Sequence, residues 1–254
     1  MPRKRKSGNG IGVRPKKRPK KRKYPSIHSK RPKGLKISTM LGGTNKILVA
    51  GIMLAIEEEL IANYKLKGKN NRMGFRTSKH LSMGRSVNTL NLHGFEKRHT
   101  WRRGQGVYMK SIEDRYPADT FKGKLWRLAY QLLEHVDPWY AKDQDYVLQI
   151  TQMHPGDVVP KHVDGHDACY QLAFTMGNFT GGQLRIYSTQ NINEANSLVP
   201  KLYNNRNKVL KFDGRYVHDV TRLLSGTRYS VIFYKLWDRR LKNPQPLLVA
   251  PVFL

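Results

Sequence analysis

His162 and Asp164 stand two residues apart in the run KHVD, and His218 lies on a second run of strand composition, RYVHDV. On a strand, residues i and i+2 point to one face, so both side chains of the first pair can reach a single metal ion. His218 is the best candidate for the third ligand. Two histidines and one carboxylate, with the remaining positions open, form the facial triad that favours non-haem Fe(II) and O2 chemistry. Ten residues beyond His218 comes Arg228, with Ser230 following at strand spacing. An arginine and a hydroxyl on one face can hold a carboxylate by charge-assisted hydrogen bonds.

Each of these residues has a rival. His154 and His166 are alternative metal ligands, and His166 shares a strand face with Asp164. His218 alone could be a satisfied core histidine, but the FDGR turn before it and Arg228 after it favour the ligand role. Arg222 competes with Arg228 for the carboxylate. It is followed by Leu223 and Leu224 in an apparent loop, however, whereas Arg228 has its serine partner. Cys169 is close to the candidate site but has no evident activating partner, and we read it as a small buried residue.

Such a site needs a rigid scaffold, and the surrounding chain reads as many short strands. YVLQITQM (146–153) ends at the turn HPGD, and Pro160 sits near a strand start, where a lost backbone donor is tolerated. CYQLAFTM (169–176) is followed by GNFTGG as a turn, then by QLRIY, KVLKF, RYVHDV and RYSVIFYKLW. Short strands separated by turn signals argue for a sandwich or jelly roll rather than a parallel sheet. On the last strand, Arg228, Ser230, Ile232 and Tyr234 share one face, while Tyr229, Val231 and Phe233 share the other. An interior polar at one end and apolar further along suits a cosubstrate pocket. Two helices are expected before this core. NKILVAGIMLAIEEELIANY should be helical over 44–64, with Thr44 or Asn45 as N-cap and most of its apolar residues buried. A second helix should span 119–135 on the stripe Phe121, Leu125, Leu128, Ala129, Leu132 and Leu133. The EEE cluster at Glu57–Glu59 reads as a solvated face.

Taken in order, H-x-D, the GGQL piece at Gly181–Leu184, the distal His218 and R-x-S resemble the Fe(II)/2-oxoglutarate-dependent dioxygenases. The resemblance covers roughly 146–237. It implies a double-stranded β-helix core, mainly β with flanking helices, with His162, Asp164 and His218 holding Fe(II). It also supports His162 and Asp164 over their rivals. 2-Oxoglutarate would be the cosubstrate, its far carboxylate on Arg228 and Ser230, and O2 would be consumed as the substrate is oxidised. The set HVD, GGQL, VHDV and GTRYS is similar to the TET/JBP branch, which oxidises the methyl group of 5-methylcytosine or thymine. It departs from the AlkB branch, because Tyr234 and Lys235 stand where a second arginine would follow R-x-S.

Charge points to the partner. The chain carries +29 in all; residues 1–34 hold 15 Lys or Arg, so the remainder still carries about +14, and the first acidic residue is Glu57. Such a balance attracts polyanions, with nucleic acid foremost and DNA ahead of RNA. Residues 1–38 should be a disordered basic tail, broken by Pro2, Pro15, Pro19, Pro25 and Pro32, serving nuclear import or phosphate contact. Residues 39–254 should form one dioxygenase domain, with helical and irregular support over 39–140 and the jelly-roll core over 141–240. In 70–116, basic residues alternate with Phe75, Phe95, Trp101 and Tyr108, which fits either a base-stacking surface or an irregular connection with buried aromatics. SVNTLNLHGF (86–95) alternates like a strand, and His80, His93 and His99 have no metal-site spacing. One cysteine excludes an internal disulfide. No apolar run reaches membrane length and no secretion signal is read, so a nuclear, viral or other intracellular setting is expected. Two further readings stand beside DNA methyl oxidation: a prolyl- or lysyl-type protein hydroxylase, and a catalytically inert nucleic-acid-binding jelly roll.

Overall fold

Seven residues of alternating character, Arg228–Tyr234, form the strand on which both halves of the core are built. In the computed structural model, residues 43–64, 79–84, 116–144, 146–236, 245–248 and 250–254 are described. The expected basic tail, the strand at 86–95, His93, His99 and the four aromatics of 70–116 lie outside them.

Among the described residues the strands form a large sheet, a small sheet and a two-stranded ribbon. The large sheet runs β1 (Lys79–Met83), β2 (Val147–Met153), β11 (Arg228–Tyr234), β4 (Gln171–Met176), β8 (Leu210–Phe212) and β12 (Val252–Phe253). The small sheet runs β3 (Val159–His162), β9 (His218–Val220), β6 (Leu184–Ile186) and β7 (Lys201–Tyr203). The ribbon pairs β5 (Phe179–Gly181) with β10 (Leu223–Gly226). Every strand pairing is antiparallel. This is the mainly β, jelly-roll architecture expected from the spacing of turns and short strands.

Period-two alternation divides the core into two layers. Tyr229, Val231 and Phe233 of β11 face outward and join Leu148, Ile150 and Phe174 against two helices. These are α1 (Gly43–Asn63) and α2 (Phe121–Val136), which pack on each other. Facing inward, Met153, Ala173, Leu210 and Phe212 meet Leu184, Ile186, Val220 and Leu223 of the small sheet and ribbon. Each fully buried side chain of this size contributes roughly 1.5–3 kcal/mol from removal of apolar surface from water. The cavity described below lies between the two sheets' inner faces.

α2 begins where the sequence suggests. Thr120 is its N-cap, with Oγ1 accepting from the Gly123 amide at 3.0 Å. Asp137 ends α2, and its Oδ1 caps the short α3 (Pro138–Ala141) by accepting from the Tyr140 amide at 3.2 Å. α1 departs from expectation in two ways. It starts at Gly43, so Thr44 and Asn45 lie inside the first turn rather than at the cap. Only one of its faces meets α2 and the sheet: Ile52, Met53, Ile56 and Leu60 are buried, whereas Ile47, Leu48, Leu54 and Ile61 are exposed. Of the acidic cluster, Glu57 does more than face solvent. Its Oε1 accepts from the Gly177 amide at 2.8 Å and ties the helix to the β4–β5 turn.

Candidate metal centre

His162 is the last residue of β3 and His218 the first of β9, and the antiparallel pairing sets them directly opposite each other. Their ring centroids are 4.2 Å apart. Asp164 differs from expectation. The strand ends at His162, so the carboxylate reaches in from the turn that follows rather than from a shared strand face. That turn is fixed by the Asp164 amide, which donates to the Gly214 carbonyl at 2.8 Å. Asp164 Oδ1 lies 3.9 Å from His162 Nε2, and Oδ2 lies 3.6 Å from His218 Nε2. One ligand atom from each of the three residues falls within 4.8 Å of the other two.

The backbone sets the tautomer of both rings. His162 Nδ1 donates to the Pro160 carbonyl at 2.8 Å, and His218 Nδ1 donates to the Tyr216 carbonyl at 2.9 Å. With Nδ1 held by the backbone, each Nε2 faces Asp164, the orientation in which histidine binds metal. Burial lowers the pKa of His218, which keeps that imidazole neutral. Phe212 meets the His218 ring edge-on at 5.6 Å. Two imidazoles and a carboxylate on one side of a cavity are the donor set of a non-haem Fe(II) site, so the residues fit that ion.

His162, Asp164, His218 and Arg228 line one cavity of about 280 Å³. Arg228, Ser230, Ile232 and Tyr234 all face it, as the alternation of β11 predicts. Arg228 is 2% exposed. Its Nη1 donates to Ser230 Oγ and lies 3.4 Å from Met153 Sδ. No carboxylate pairs with it among the described residues, and its Nε is buried without a hydrogen-bond partner. Desolvation pushes its pKa down to about 10. A buried, uncompensated guanidinium is costly, and an anionic ligand is the simplest compensation. Ser230 is flanked in register by Thr151 and Thr175, so three hydroxyl-bearing residues cross the sheet beside the arginine.

The rivals fall away on geometry. Arg222 is exposed and does not line the cavity, although Leu223 and Leu224 after it form β10 rather than a loop. His154 is also off the cavity, while His166 is exposed at its rim. Cys169 is buried, as expected. His80 bonds Ser82 at 2.8 Å and contacts Thr151 at 3.5 Å, and it does not line the cavity. GNFTGG supplies β5 as well as turns, and its last glycine has a specific task. Gly182 has φ +63°, and a Cβ there would meet Arg228 Cδ at 2.9 Å. The guanidinium stem packs onto bare backbone at that point.

Two groups escaped sequence reasoning. Gln171 is 2% exposed, and its Nε2 donates to Asp164 Oδ2 and to Asp167 Oδ2, both at 2.6 Å. Asp167 is buried, and desolvation, then the neighbouring Asp164 charge, raises its carboxyl pKa to about 8. The available signal was the phase of β4: Gln171 and Thr175 fall on the inner face with Ala173, an unusual place for two polar side chains.

No family model matches the chain, and no curated protein matches it. Solved structures do. A 2OG-Fe(II) oxygenase family oxidoreductase from Burkholderia pseudomallei is 12% identical with a TM-score of 0.33, over 45% of this chain. The match spans only 57% of that protein's length. A Pseudomonas putida prolyl-4-hydroxylase is 12% identical with a TM-score of 0.39, over 78% of this chain and 90% of its own. NgTET1, solved in complex with 5mC DNA, is 18% identical with a TM-score of 0.38, over 75% and 68% respectively. Likenesses this distant do not assign an activity, and the functional reading rests on the site. Among the described residues, no helix is long and apolar enough to cross a membrane.

Proposed function

We propose that this chain is an Fe(II)/2-oxoglutarate-dependent dioxygenase that hydroxylates a C–H bond, and that its substrate is the methyl group of 5-methylcytosine or thymine in DNA. The observation that carries the first part is the shared cavity: a His-Asp-His cluster and a buried arginine with no carboxylate partner among the described residues line the same space. Fe(II) held there would couple oxidative decarboxylation of 2-oxoglutarate by O2 to oxygen insertion into the substrate. His162, Asp164 and His218 would hold the ion, with the Pro160 and Tyr216 carbonyls accepting from Nδ1 of the two imidazoles and so aiming each Nε2 inward. Arg228 meets the distal carboxylate of the cosubstrate with its planar fork, and Ser230 adds a hydroxyl. Met153, Leu184, Phe212 and Val220 line the inner part of the site with apolar surface.

The nucleic-acid part of the reading rests on charge. A chain of +29 with basic excess on both sides of residue 34 binds polyanions through counterion release. A base in duplex DNA must be flipped out of the stack before its methyl group can reach a cavity between two sheets. The same balance favours a nuclear setting, with the basic tail (1–38) preceding one dioxygenase domain (39–254). The test is succinate release from 2-oxoglutarate by the Fe(II)-loaded full chain, with 5-methylcytosine DNA, thymine DNA, RNA, and proline- or lysine-containing peptides in parallel. Stimulation by methylated DNA alone supports the reading. Stimulation by a peptide alone moves the protein to the hydroxylases of protein side chains.

A further inference from the structure

The two histidine ligands are each locked by a backbone carbonyl, but Asp164 stands beyond its strand on a turn, and its side chain is 38% exposed. Its carboxylate has one described amide tie, Gln171 Nε2 to Oδ2 at 2.6 Å. The same nitrogen donates to Asp167 Oδ2 at 2.6 Å, so both amide protons are committed and the amide cannot swing away. Gln171 comes from β4 of the large sheet, whose pairing with β11 and β8 fixes its backbone rigidly. A further observation concerns the space the amide occupies. A Cβ on Gly214 would fall 2.3 Å from Gln171 Nε2, so the FDGR turn is bare at that point and leaves room for the clamp.

We infer that Gln171 is a positioning residue that holds Asp164 as a one-oxygen metal ligand, with Oδ2 committed to the amide and Oδ1 presented to the ion. Asp167 anchors the other side of the amide, and Gly214 makes room for it. The inference rests on the metal-centre reading above. Hydrogen-bonded outer partners of this kind are typically worth about 10- to 100-fold in metal affinity.

The test is Co(II) titration of the full chain, which gives both an affinity and a visible d–d spectrum sensitive to coordination number. Gln171→Leu removes both donors at similar volume and should weaken Co(II) binding by about 10- to 100-fold, with a changed spectrum. Gly214→Ala leaves Gln171 and every ligand in place but crowds the amide, and should shift affinity and spectrum in the same direction. Its backbone is not in the left-handed region, so this second variant keeps the test decisive if Gln171→Leu folds poorly. If Gln171→Leu and Gly214→Ala both match the parent in affinity and spectrum, Gln171 is not a positioning residue, although the metal centre stands. If the parent itself binds no Co(II), the metal centre fails and this inference falls with it.

Discussion

Replacing Arg228 with methionine should have opposite effects on the free protein and on its complex with 2-oxoglutarate. In the free chain the guanidinium is 2% exposed, with Ser230 Oγ and Met153 Sδ as its hydrogen-bond acceptors and no acidic partner among the described residues. Depression of its pKa from 12.5 to about 10 corresponds to a cost of about 3 kcal/mol for keeping the charge buried. The sign is that of a base whose folded-state pKa is lowered: the cost is fully present below about pH 10 and is relieved only as the pH rises above that. Arg228→Met therefore removes a buried charge at neutral pH and should leave the free protein as stable as the parent or more so. In the complex, the variant leaves the distal carboxylate unpaired and should cost on the order of 2–5 kcal/mol. That is about thirtyfold to several-thousandfold in 2-oxoglutarate affinity. Ser230→Ala should cost about 1.5–3 kcal/mol, the worth of one hydrogen bond to a charged group. The assay is thermal unfolding of the metal-free chain beside calorimetric titration with 2-oxoglutarate under anaerobic Co(II). A variant that unfolds far more easily yet binds 2-oxoglutarate like the parent would show Arg228 to be a structural residue and refute the argument.

Three further outcomes are expected. Gly182→Ala puts a side chain at φ +63° against Arg228 Cδ, so it should destabilise the fold by about 1–3 kcal/mol and weaken 2-oxoglutarate binding more than metal binding, read by paired titrations. Asp167 has a folded-state pKa of about 8 against 3.8 for an ordinary carboxyl, so the folded chain holds a proton that the unfolded chain releases; stability should fall as pH rises through that window, and Asp167→Asn should flatten the loss in denaturant melts of the metal-free protein. Deleting residues 1–34, with their 15 basic side chains, should weaken DNA binding and lower the log–log salt slope by about 0.9 for each phosphate that the tail neutralises; an unchanged slope would assign the tail to import or solubility.

The legibility of this chain follows the range of the forces involved. β2, β3, β4, β6, β8, β9 and β11 were readable because period-two alternation is local, and Arg228 to Tyr234 keeps it without a break. The short β5 and β10, by contrast, read as turn and loop, and β7 gave no strand pattern. The candidate ligands could be picked out because their residue types and order carry the chemistry, and antiparallel pairing sets His162 opposite His218. The turn position of Asp164 was not readable, because two-residue spacing looks the same at a strand end as within a strand. Gln171, Asp167 and Gly214 were hidden for a stronger reason. Their meeting depends on β4, the turn after β3 and the FDGR turn converging in space, and nothing local links residues 43 positions apart. The exposed half of α1 is a similar case. Its apolar residues are too dense for the sequence to say which face the sheet would cover.

The central claim is that His162, Asp164 and His218 bind Fe(II) in a cavity that also admits 2-oxoglutarate. Anaerobic Fe(II) titration of the full chain, with bound iron measured after dialysis and 2-oxoglutarate then added, tests it most directly. The parent should retain one Fe(II) per chain and develop the visible charge-transfer absorption of an iron–2-oxoglutarate chelate, and His218→Ala should retain neither metal nor band while keeping its fold. Parent protein that holds no iron, or His218→Ala protein that holds as much as the parent and gives the same band, would contradict the account.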